Sequence, residues 1–178
     1  MLQLGVTVSN EYGGGDQLTY STIVVGPPHQ LPLVENFEGV VTYEPIVLQQ
    51  LGEDYTASWT FHNPADVDIA AANNSGYALI GFPSSMSEST GRIALPKFST
   101  LGAEKAELKM RFFIADYTPD ADILLCGNSD EEIVLCTVSS KDGSGWVTKT
   151  MVFPEEFKKR HWAYIALRAH YDGSIQYL

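Results

Sequence analysis

Between residues 106 and 114, Ala106, Leu108, Met110, Phe112 and Ile114 alternate with Glu107, Lys109 and Arg111. A period of two places successive side chains on opposite faces, so this segment fits a strand with one buried and one wet face and cannot present a helical stripe. Shorter apolar runs recur at residues 46–51, 58–61, 77–82, 91–95, 123–126, 133–138, 146–153 and 162–169. They are punctuated by turn formers such as Thr118-Pro119-Asp120, Asn128-Ser129-Asp130 and Asp142-Gly143-Ser144-Gly145. Helix signals are scarce, and only residues 154–159, with proline and acids first and lysines last, suit a single helical turn. This rhythm predicts an all-β chain folded as an antiparallel sandwich.

The 178 residues suffice for one full domain and a fragment, and 44% hydrophobic against 19% charged residues describes a folded chain. A formal charge of −11 repels phosphate backbones and anionic headgroups, so nucleic acid and membrane surfaces are poor partners. No apolar run nears the roughly 18 residues a spanning helix needs, and the first residues lack the pattern of a secretion signal. Cys126 and Cys136 have no zinc-site spacing; a cross-strand disulfide is conceivable, with two buried free thiols favoured.

Leu2, Leu4, Val6 and Val8 alternate with polar or small residues, Gly13 to Asp16 offer turn chemistry, and residues 18–25 resume as a β-rich run. An isolated hairpin is marginal in water, so this one is expected to dock on the rest of the chain or on a second copy, giving a dimer. Three prolines within residues 27–32 then read as an extended spacer. The stretch Val6-Thr7-Val8-Ser9-Asn10-Glu11-Tyr12-Gly13, followed by Thr22-Ile23-Val24-Val25-Gly26, resembles the closing hairpin of a fibronectin type III domain. The expected division is a hairpin remnant over 1–26, a linker over 27–32 and a main domain over 33–178. Both ends read as cut from a longer chain.

Five segments in the main domain carry a second resemblance. They are Asn36-Phe37-Glu38-Gly39, Trp59, Gly91 to Ser99, Gly145-Trp146 and Tyr164-Ile165-Ala166-Leu167-Arg168. In this order they resemble the MAM-like jelly-roll domains of bacterial surface proteins, including the cleaved-adhesin domains of gingipain-type proteins. The resemblance implies a jelly-roll β-sandwich, an extracellular or cell-surface location, and adhesion or binding of a glycan or protein without catalysis. It also implies a structural Ca²⁺ held in part by Glu38. The acidic pair that usually follows the last strand in the family is absent after Leu178, which leaves such a site incomplete.

From the residues themselves, Asp66 and Asp68 share one loop and could supply two of the six to eight oxygens that calcium takes. Their plainer reading, and that of Glu38, is as solvated or backbone-bound acids. Tyr117 and Tyr171, beside turns, and Trp146 are the candidate stacking platforms for a ligand, although tryptophans on strands usually serve the core. No nucleophile elbow, zinc-binding helix or phosphate loop occurs, and the four histidines lack metal-ligand spacing. A glycoside hydrolase needs two carboxylates across a cleft, whereas Glu53-Asp54 and Glu131-Glu132 are sequence neighbours that a strand would point apart. The leading expectation is a non-catalytic extracellular adhesion or binding module. A carbohydrate-binding accessory domain and a jelly-roll hydrolase stand as alternatives.

Overall fold

The computed structural model describes residues 2–10, 13–22, 27–35, 48–50, 58–62, 77–81, 89–114, 118–128 and 131–171. These hold eleven strands and no α-helix: β1 Leu2–Asn10, β2 Gly13–Thr22, β3 Leu48–Gln50, β4 Ser58–His62, β5 Tyr77–Gly81, β6 Ser89–Ala94, β7 Glu107–Ile114, β8 Ala121–Cys126, β9 Glu132–Val138, β10 Gly145–Val152 and β11 Tyr164–Tyr171. None of the described helical segments is long or apolar enough to cross a membrane. The all-β antiparallel fold is therefore observed, and each apolar run from residue 46 onward carries a strand within a few residues of its expected bounds.

A five-stranded sheet runs in the order β3-β6-β11-β8-β9, and β10 pairs with β7 in a second, antiparallel ladder. β11 lies between β6 and β8, an order built by crossovers rather than successive hairpins. The inward phase of both sheets meets in one core that contains Ile93, Ile114, Ile123, Leu125, Met151, Ile165 and Leu167. Leu108, Met110 and Phe112 pack against it from β7, so the alternation that predicted the strand also predicts the face it buries. At about 25 cal/mol per Å² of apolar surface removed from water, each such side chain contributes roughly 1.5–3 kcal/mol.

The first hairpin differs in detail from expectation. β2 starts at Gly13, and the ladder pairs Ser9 with Gly14 and Asn10 with Gly13 after an irregularity between Thr7 and Ser9. The glycines thus belong to the ladder, at an irregular point that residues without a β-carbon tolerate. The spacer is also not free along its length. The His29 amide donates to the Lys97 carbonyl at 2.8 Å, and Ser99 donates back to the His29 carbonyl at 2.8 Å. The single turn expected after Pro154 is a 3-10 turn at Glu155–Phe157, and it buries Phe157 completely.

Candidate functional site

Among the described residues, the outward phase of β7 and β10 is an open, solvent-facing surface. Register pairs Phe113 with Trp146, Arg111 with Thr148, Lys109 with Thr150 and Glu107 with Val152. Phe113 is 41% exposed, and its ring stands edge-on to that of Trp146, with centroids 5.6 Å apart and planes at 69°. The Arg111 guanidinium lies 5.0 Å from the centre of the Trp146 ring, a cation–π distance. Two rings and a guanidinium thus form a corner on solvent-facing sheet. Gly145, at φ 74°, supplies the backbone conformation that starts β10 just before Trp146; a β-carbon there would meet nothing within 4 Å, so the requirement is conformational rather than steric.

Of the predicted ligand residues, Trp146 stands on this corner. Tyr171 ends β11 and is only 7% exposed, so it offers no open ring face: the outward turn position expected for it is a buried strand end instead. Tyr117, Glu38, Asp66 and Asp68 lie outside the described residues. Sequence reasoning missed Phe113, although a signal was present. It occupies the phase that holds Glu107, Lys109 and Arg111, where a large aromatic gains no core contact.

The outer face of the five-stranded sheet is different in kind. Arg92 and Arg168 both bond Glu132, at 3.0 and 2.7 Å, and Arg168 also reaches Asp122 at 3.1 Å. Asp122 further accepts from Thr137 at 2.8 Å and lies 3.3 Å from His170 Nε2. Burial pushes the Asp122 carboxyl up, but hydrogen bonds from Thr137, Arg168 and His170 outweigh it and hold the group below the ordinary aspartate range. Glu131, for its part, is tied to the Arg160 guanidinium. The two neighbouring glutamates therefore serve separate ion pairs, as the period of a strand suggests, and do not face each other across a cleft.

Trp162 and Tyr164 stack at 6.4 Å with planes 17° apart, and the Lys97 ammonium sits 4.4 Å from the Trp162 ring centre. Both rings are half-buried, which makes them a weaker platform than the Phe113 corner. Among the described residues no group of three or more His, Cys, Asp or Glu side chains could hold a metal ion.

No protein-family model matches the chain, and no curated protein does. Among solved structures, it is similar to the K2 cleaved adhesin domain of Lys-gingipain at 11% identity, over 70% of this chain and 80% of that one, with a TM-score of 0.45. It is also similar to the CBM27-1 module of Caldicellulosiruptor saccharolyticus, solved with mannohexaose, at 12% identity over 76% and 86% of the respective chains, TM-score 0.45. At these values the likeness assigns no ligand.

Proposed function

We propose that this chain is a non-catalytic binding module of a cell-surface or extracellular protein, and that a saccharide stacks on the Phe113–Trp146 corner. The observation that carries this is the 41% exposure of Phe113 beside a half-buried Trp146 on the solvent-facing phase of β7–β10. A pyranose ring has an apolar C–H face and a polar rim, which suits a flat aromatic surface flanked by hydroxyls and N–H donors. Thr148 and Arg111 provide that flank. The non-catalytic part is supported by the acids themselves: Glu131, Glu132, Asp122 and Asp142 are each bound to a basic side chain.

A glycan array probed with the intact chain tests the reading. Saturable binding is expected, lost on Phe113→Ala or Trp146→Ala while the melting temperature of Phe113→Ala stays within a few degrees. No binding across neutral and acidic glycans overturns it. Product release from labelled polysaccharides would overturn the non-catalytic part. The calcium site is likewise proposed, with Glu38 supplied by the family resemblance and Asp66 and Asp68 by their shared loop. A ligand bound only by the folded state raises stability, so chelator should lower the melting temperature, and an unchanged value removes the proposal.

A further inference from the structure

Resting on the stacking surface proposed above, its ligand class can be narrowed by charge. The chain carries 22 acidic against 11 basic residues, yet the outer face of β7–β10 runs the other way. Lys109 and Arg111 stand two residues apart on β7, both exposed, and neither has a carboxylate partner among the described residues. Glu107, the acid on this phase of β7, is bonded to Lys105 at 2.7 Å. Elsewhere the basic side chains of the described sheets are consumed: Arg92 and Arg168 by Glu132, and Lys149 by Asp142.

Strand geometry converts this into a spacing. Residues two apart on a strand project from one face about 6.5–7 Å from each other, and the facing strand lies about 5 Å away. The cations therefore form a row along β7, with the Thr148 and Thr150 hydroxyls as a parallel row on β10 and the aromatic corner at one end. An extended polymer that repeats a carboxylate and several hydroxyls per ring matches such a strip. The guanidinium brings a planar fork of donors that fits a carboxylate with two parallel hydrogen bonds, while the ammonium acts as a point charge. A neutral glycan would leave both cations without a counter-charge on the bound surface.

We propose that the strip formed by Phe113, Trp146, Arg111, Lys109, Thr148 and Thr150 binds an acidic oligosaccharide, a chain of hexuronate rings. One ring stacks on the aromatic corner with its carboxylate on Arg111, and the next carboxylate lies at Lys109.

The test is calorimetric titration of the intact chain with oligogalacturonate and oligomannuronate, each against its methyl ester, which keeps the ring and removes the charge. At least one acid is expected to bind about tenfold or more tightly than its ester, and Arg111→Gln is expected to weaken acid binding far more than ester binding, so that the difference between the two is lost. Phe113→Ala should weaken acid and ester alike. Equal affinity for acid and ester, or acid binding indifferent to Arg111→Gln, overturns the acidic-ligand inference and leaves the stacking surface standing. A polyglutamate peptide that binds as tightly as the uronates overturns the saccharide assignment. Failure of all probes together with a blank glycan array sinks the stacking surface as well. Circular dichroism and melting of each variant separate a lost fold from lost recognition.

Discussion

Arg168 on β11 bonds Glu132 on β9 at 2.7 Å across the whole width of β8. Register sets Arg168 opposite Asp122 but Glu132 opposite Cys126, four positions along β8, or about 13 Å at strand rise. The pair can meet only if the side chains lie along the sheet, and the path between them crosses Leu124 and Ala166, both with 0% exposure. The aliphatic stem thus works as cover for an apolar patch while the guanidinium is held at its end.

That geometry separates two contributions of Arg168. Arg168→Met keeps the stem and leaves Glu132 and Asp122 each short of one partner, at a cost of about 1–2 kcal/mol, between the values for exposed and buried pairs. Arg168→Ala also uncovers Leu124 and Ala166 and should lose roughly 1 kcal/mol more. Urea melts measure both. Equal losses for the two variants would mean that something other than the stem covers the patch.

Asp122 gives the acid limb of the stability profile. Its carboxyl is held below the ordinary aspartate value of 3.8, so the folded state favours the ionised form. The resulting stability is complete above the unfolded-state pKa and is lost as pH falls through the lower folded-state value. Asp122→Asn should cost roughly 1–3 kcal/mol at neutral pH, through weakened bonds to Arg168, His170 and Thr137, and should flatten the decline below about pH 4. A mutant whose melting temperature falls with acid as steeply as the parent's would show that other groups set that limb.

Cys126 and Cys136 sit on opposite faces of their sheet and are both free. Cys126 clusters with Leu124 and Ala166 on the outer face, whereas Cys136 packs toward the core with its thiol 3.2 Å from the Met151 sulfur. Register adds a second separation, since Cys126 faces Glu132 and Cys136 faces Ile123. Burial pushes both thiols up, which keeps them protonated and slow to react. Alkylation should be slow in native buffer and label both cysteines once the chain is unfolded. A peptide pair linked through these two sulfurs, found in non-reduced digests, would contradict the register of β8 and β9.

Much of this arrangement could be read from the sequence because the period-two pattern is a local consequence of burial. The apolar phase of residues 106–114 gives both β7 and its inward face. Long-range pairing is less legible: nothing in Gly91-Arg92-Ile93 says that Arg92 will share Glu132 with Arg168, because that requires β11 to run between β6 and β8. The candidate site falls between these cases. Side-chain chemistry offers Trp146 only as one of three candidate platforms, with its strand position favouring a core role over a ligand role. Phe113 could have been recognised from its wrong-phase position, but that Trp146 stands opposite it depends on the β7–β10 register, which spans the two intervening strands. For Tyr171 a turn next in sequence suggested exposure, yet the tertiary fold buries the ring.

Thr100 offers the sharpest test of how the loops are pinned to the core. Its hydroxyl is fully buried, donates to the Phe157 carbonyl at 2.8 Å and accepts from the Arg160 amide at 2.8 Å, tying residues 157–160 to the segment that follows β6. Valine has nearly the same shape but neither donor nor acceptor. Thr100→Val should therefore leave the Phe157 carbonyl and the Arg160 amide without these partners in a dry setting, at a cost of about 1–3 kcal/mol. Thr100→Ser keeps both hydrogen bonds, loses one methyl group and should cost about 1 kcal/mol. Because Phe157 is buried completely and carried by this same turn, hydrogen exchange should quicken at residues 157–160 in the valine variant before it does in β8 or β11. A valine variant as stable as the parent would show that the carbonyl and amide find other partners when the hydroxyl is removed.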